Sequence, residues 1–286
     1  METIPSPAVS FFAADAADAA DAADAADAAD AADAADAADA KPSQAFSPET
    51  REAVYRAIFE RRDMRHFAGG SVEPETLRRL LTAAHHAPSV GFMQPWRFIR
   101  VQDRALRLRL REAVERERIE TARALGKRED EFMQLKVEGL LDAAELLAVC
   151  LADGREQHLF GRRTLPQMDL ASASCAIQNL WLAARAEGLG MGWVSLFDPA
   201  ELASLLGLPP GAEPIALLCL GPVHEFYAEP MLQQQKWARR QPLNELVFDE
   251  GWGRASTLFA PSIPSASSGV AAEDAATLND QGETAC

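Results

Sequence analysis

Cysteine is scarce in this 286-residue sequence: Cys150, Cys175, Cys219 and Cys286 form no CxxC pair and none lies at metal-ligand spacing from a histidine. That excludes a zinc ribbon or a disulfide-stapled scaffold. Cys150, Cys175 and Cys219 sit in apolar runs, where reduced, buried thiols are expected, as in a reducing compartment. Long hydrophobic stretches are also missing. The longest, around residues 145–151, falls far short of the roughly 20 residues a membrane span needs. Phe11 and Phe12 run straight into aspartates, so no signal-peptide core forms, and a cytoplasmic location is expected. Basic charge is in deficit, with 28 Lys and Arg against 43 Asp and Glu and a net charge of −15, which argues against a general nucleic-acid binder. Neither HExxH nor GxSxG occurs, so zinc-hydrolase and serine-triad chemistry lack their parts. His85 and His86 are adjacent, diverge by about 100° on a helix and do not chelate one ion; no metal is expected.

What the chain does hold is 48% hydrophobic and 25% charged residues, enough for a sizeable core. Much of the negative charge is local. An Ala-Ala-Asp triplet from Asp15 to Asp39 supplies nine aspartates, leaving the remainder at about −6. A three-residue period drifts about 60° per repeat round a helix, so these carboxylates line no face. Residues 1–46 are expected to be a solvating tail, and 255–286, rich in Ser, Ala, Pro and Thr, a second one. Residues 47–254 form one domain.

Within that domain, Ser47-Pro48-Glu49 opens a helix carrying Val54, Ile58 and Phe59 on one side. Pro74 starts a second, with a stripe of Leu77, Leu80, Leu81 and Ala84. A short strand is expected over 97–101, helical stretches over 104–125 and 129–144, and a buried strand over 145–151. A long, mostly apolar helix follows over 167–187, then strands over 192–197 and 215–221. Helices outnumber strands without strict alternation, which favours an α+β layer over a doubly wound sheet.

Four segments could carry chemistry. In Arg61-Arg62-Asp63-Met64-Arg65, Arg61 and Arg65 share a face if the first helix persists, and their guanidinium forks suit one phosphate; a solvated helix end is the plain alternative. The loop Ala87-Pro88-Ser89-Val90-Gly91-Phe92-Met93-Gln94-Pro95-Trp96 combines hydrogen-bonding groups with stacking surface for a planar heterocycle. Gly188-Leu189-Gly190-Met191-Gly192 resembles a dinucleotide fingerprint only superficially, because the order is helix, glycines, strand. Its glycines suit close backbone approach, with Ser195 at a strand end. Lys236-Trp237-Ala238-Arg239-Arg240 is a second basic cluster, either a solvated patch or a partner of the first at a phosphate.

Taken together and in this order, with Pro166-Gln167-Met168-Asp169-Leu170, Gln178 to Arg185, Gly192-Trp193-Val194-Ser195 and Glu250-Gly251-Trp252-Gly253, these segments resemble the flavin-dependent nitroreductase superfamily over nearly the whole folded region. Asp63 and Phe92 stand where the general superfamily tends to have serine and asparagine. Both look like the branch that makes the 5,6-dimethylbenzimidazole lower ligand of cobalamin.

The resemblance implies an α+β fold, a nitroreductase-like α/β/α layered sandwich with a mainly antiparallel central sheet, in a homodimer with each flavin at the subunit interface. It implies an oxidoreductase that fragments reduced FMN with dioxygen, releasing erythrose 4-phosphate, and a flavin reductase to supply that FMN. Asp63 would be the general base or proton relay and Ser195 a hydrogen-bonding group at the flavin's reacting edge. Arg61, Arg65 and Arg240 would hold the phosphate, with Arg62, Met64 and Ser89 in the cradle. Val137, on a helix around Lys136, would belong to a lid. A carboxylate among arginines is expected to be ionised and depressed in pKa unless burial opposes it. An NAD(P)H-dependent FMN nitroreductase and a non-catalytic flavin carrier remain as alternatives.

Overall fold

The structure, a computed structural model, describes residues 44–260; the Ala-Asp repeat, Cys286 and most of the expected second tail lie outside them. By its internal contacts the chain divides into Met1–Ala53 and Val54–Cys286. In the first unit, Ser47 Oγ accepts the Thr50 amide (3.3 Å) and starts helix α1, Pro48–Glu60. All else described here belongs to the second.

A four-stranded antiparallel sheet forms its centre, in the order β1 (Trp96–Arg100), β2 (Glu145–Leu151), β4 (Glu213–Gly221), β3 (Gly190–Val194). β2 is buried along its whole length, and its alternating side chains serve opposite layers. Leu147, Val149 and Leu151 face helices α2 (Pro74–His85) and α5 (Met168–Ala186), meeting Leu77, Leu80, Ile177 and Leu180. Leu146 and Ala148 face the other way, toward Leu110 and Val114 of α3 (Arg104–Leu125) and Leu202 of α6 (Pro199–Leu206). Two cores on two faces of one sheet make the α/β/α sandwich. Each fully buried leucine is worth about 2–5 kcal/mol against alanine. A register shift at Val149/Cys150 falls where Cys150 faces Pro214, a residue with no N–H to give the ladder.

The structure departs from the sequence expectations in five places. The 129–144 stretch is helical only as α4, Glu129–Met133. Beyond it Glu138 accepts the Leu140 amide at 2.7 Å, a local bond that competes with helix. A Cβ on Gly139 would lie 2.7 Å from the Phe67 ring, so the chain there is pressed against the domain. The strand expected over 192–197 is β3, displaced toward its N-terminus and ending at Val194. Helix α6 fills a stretch to which the sequence reading assigns no element, although Asp198 caps Glu201 N at 2.7 Å, Pro199 follows, and Gly207 ends it at φ 65°. Cys175, expected buried, is exposed on α5, whereas Cys150 and Cys219 are buried. Organised chain also continues past Arg254: Ala255 bridges Phe248 and Ser256 is buried. No helix among the described residues is long and apolar enough to cross a membrane.

Candidate active site

The site is built where the segment after α1 crosses the edge strand β3. Met64 N donates to Met191 O at 2.9 Å, and Asp63 forms an isolated parallel bridge to Met191. This approach needs glycine. A Cβ on Gly192 would stand 2.2 Å from Met64 O and 2.7 Å from Arg65 Nη1, and one on Gly190 2.4 Å from Val223. The close backbone approach expected for these glycines is therefore real, and its partner is the Arg61–Arg65 run.

The helix does not persist through that run. It ends at Glu60, so Arg61 and Arg65 do not share a helical face. Sheet-edge pairing by Met64 wins over continued helix, and Arg62 helps stop it by donating to Phe59 O and Arg61 O (2.7 and 2.9 Å). Extended geometry sends successive side chains to different places. Arg61 lies over the Trp181 ring, 4.5 Å from its centroid. Arg62 also donates to Tyr227 O (3.0 Å) and Ala228 O (2.8 Å), stapling residues 227–228 to the site. Met64 is 1% exposed and packs under β3, so its side chain is core.

Asp63 and Arg65 border a cavity of about 200 Å³ with Ser195, Trp193, Val137 and Trp237. Asp63 Oδ1 accepts the Trp193 amide (3.1 Å), and Oδ2 takes Arg65 Nη2 (2.7 Å), which also donates to Trp193 O (2.7 Å). Arg65 is buried, and its Nη1 has no hydrogen-bond partner. The Asp63 side chain remains 43% exposed, into the cavity. Its pKa is raised: desolvation by the surrounding walls outweighs Arg65, the Trp193 amide and Arg61, which all pull it down. This corrects the depressed value expected for a carboxylate among arginines; burial is the stronger effect.

Ser195 stands one residue beyond β3, exposed at the cavity rim. Val137 also lines it, but on chain without regular secondary structure, so the lid helix expected around Lys136 and Val137 does not exist. Arg240 lies elsewhere, in an open cleft of about 770 Å³ that it shares with Arg62, Lys236 and Arg239. Its charge is felt by Arg61, whose own pKa is lowered chiefly by desolvation. Ser89 borders neither space. Its Oγ accepts the Gln94 amide at 3.1 Å, inside a loop where Phe92 and Gln94 take left-handed backbone (φ 55° and 50°).

Sequence reasoning named neither Phe132 nor Trp237 as part of the cavity. Trp237 lay inside a recognised basic cluster; nothing local marks Phe132. The segment around α7 (Met231–Gln234) separates the two spaces, with Met231 and Leu232 lining the smaller and Gln233 and Gln234 the larger.

A carboxylate and a hydroxyl thus border an apolar-walled pocket beside a basic cleft. The chain belongs to the Nitroreductase family, whose profile matches residues 58–222. More particularly, it is similar to the 5,6-dimethylbenzimidazole synthase of Rhodospirillum rubrum, 41% identical over 200 residues that cover 69% of this chain and 94% of the relative. It is similar as well to the protein of that name from Rhodobacter capsulatus, 36% identical over 69% of this chain and 96% of the relative. A BluB-like flavoprotein from Clostridium difficile 630 shares the fold, with a TM-score of 0.54 at 20% identity over 68% of this chain and 98% of that one.

Proposed function

We propose that this chain consumes reduced FMN and dioxygen and releases 5,6-dimethylbenzimidazole, with erythrose 4-phosphate derived from the ribityl phosphate. The reading rests above all on Asp63, a carboxylate held by the Trp193 amide and Arg65 yet open to an apolar-walled pocket bordered by Ser195. The synthase names borne by the bacterial relatives support the same product.

The residues suit the ligand. Arg61, Arg240, Lys236 and Arg239 offer charge to a phosphate. Arg65, whose Nη1 is buried against Gly192, acts on the pocket through Asp63 Oδ2, which it holds at 2.7 Å. Bound reduced flavin would supply the electrons that dioxygen accepts. The chain's part is to orient, to exclude water and to move protons. Asp63, made more basic by desolvation, takes a proton at Oδ1 or Oδ2 during fragmentation. Ser195 Oγ gives or accepts a hydrogen bond at the rim, and Val137 with Phe132 keeps the ring side dry. Arg62 and Met64 act from behind, one as a staple and one as core.

Ser89 joins this cradle only from a second copy, as a homodimer with interfacial flavin requires. The exposed apolar side chains of Val54, Ile58 and Phe59 on α1 support such pairing. A flavin reductase, as the source of reduced FMN, completes the reading.

Chemically reduced FMN mixed anaerobically with the protein and then exposed to air tests it directly. Chromatography is expected to show the benzimidazole, and Asp63→Asn and Ser195→Ala are each expected to lower its yield about a hundredfold or more while still binding flavin. Intact oxidised FMN as the sole product of the wild type would refute the proposal. Rapid reduction of bound flavin by NADPH would point to a nitroreductase instead.

A further inference from the structure

The Asp63 cavity is small. At about 200 Å³ it lies below the roughly 300–1,000 Å³ usual for whole-ligand sites, and three of its lining residues, Met231, Leu232 and Trp237, belong to one thin segment. That segment, 228–240, also carries Lys236, Arg239 and Arg240 of the basic cleft. It is mostly exposed, and its internal bonds are short-range, such as Trp237 N to Leu232 O at 2.8 Å. Two things tie it down. At its start, Arg62 holds Tyr227 O and Ala228 O. Near its end, Trp237 is held by Arg128, whose guanidinium lies 3.4 Å from the indole centroid and donates to Trp237 O at 3.2 Å. Glu131 fixes that guanidinium through two bonds of 2.9 and 3.0 Å, and Phe132 packs 6.0 Å from the indole. Lys236, immediately before, takes a left-handed backbone (φ 58°) that a non-glycine residue adopts only when its surroundings hold it there.

We infer that Trp237 and Arg128 form a latch: the strap 228–240 lifts to admit the flavin ring over Asp63 and is closed again when the indole seats on the guanidinium. The inference rests on the functional reading above. Its chemistry is that of a cation–π contact reinforced by a carbonyl hydrogen bond, with Glu131 as a brace. Trp237 is thus a positioning residue at the ring end of the site, while Arg239 and Arg240 ride on the same strap at the phosphate end. Closing the strap couples the two halves of one ligand.

The test uses the full chain loaded with oxidised FMN or with riboflavin, and follows release by recovery of flavin fluorescence after dilution. Arg128→Gln and Trp237→Ala are each expected to speed release of both flavins about fivefold, the size of an exposed cation–π contact. The double variant is expected to be no faster than either single one, because the two residues act as a unit. Arg128→Lys, which keeps the cation but not the planar fork, is expected to recover part of the retention. A merely structural role would lower the melting temperature and give additive effects on release. Release rates within about twofold of wild type in Arg128→Gln would overturn the latch, even if Trp237→Ala fails to fold. A wild-type chain that binds neither flavin would sink the functional reading and the latch with it; tight wild-type binding with unaltered release in the variants sinks only the latch.

Discussion

The two cavities on either side of α7 share a wall and differ in nearly everything else. The smaller is enclosed by aromatic and aliphatic side chains, and there a carboxylate becomes more basic although three groups pull the other way. The larger is open and lined by Lys236, Arg239 and Arg240, with Glu229 as the acidic residue among them. One extended pentapeptide contributes to both, since Arg62 borders the cleft while Asp63 and Arg65 border the pocket. The difference teaches that solvent access sets the character of each half. Water screens clustered cations in the cleft, so they persist side by side; in the pocket partial desolvation raises the pKa of a single acid.

The comparison breaks most completely if the pentapeptide that contributes to both spaces is displaced. Gly192→Ala puts a methyl where Met64 O stands, and is expected to cost about 1–3 kcal/mol and to disorder the pocket while leaving the cleft basic. Calorimetry and flavin titration check this, and an unchanged melting temperature would show that the approach is looser than described.

An effect of similar size separates two of the cleft's three arginines. Arg62→Gln leaves four carbonyls without their donor and is expected to lose about 1–3 kcal/mol of stability. Arg240→Gln, at an exposed site, is expected to stay within about 0.5 kcal/mol and to weaken FMN more than riboflavin. Equal losses for the two ligands would remove Arg240 from the phosphate.

The smallest effect is the titration of Asp63. Its proton is held more tightly in the folded protein than in the unfolded chain. The group therefore contributes stability that is fully present below its unfolded value and is lost as pH rises through the folded one. A carbon-detected NMR titration is expected to give a midpoint above the ordinary 3.8, and a midpoint below it would mean that Arg65 outweighs desolvation.

Much of this was legible before any coordinates. Helix α3 and strand β2 fall on the expected residues because their periodicities are unbroken and their ends carry signals, Asp103 capping Leu106 N at 2.9 Å for example. Helix α6 was legible too, in Asp198-Pro199 and Gly207, signals the reading passed over. The false helix at 129–144 is interrupted by a local bond, Leu140 N to Glu138 at 2.7 Å, and by the packing of Gly139 against Phe67, far apart in the chain. The run Arg61–Arg65 announced a site by its composition but not its shape. Its direction is dictated by β3, about 130 residues away.

Local chemistry thus determined where helices and strands start, which faces are apolar and which residue types a flavin site would need. Only the tertiary structure decided that Arg62 is a staple, that Met64 is core, that Val137 lies outside any helix and that Trp237 lines the pocket with Asp63. The physical reason is range. Caps and periodicity act within a few residues, whereas burial and the field around a carboxylate depend on whatever the fold brings alongside.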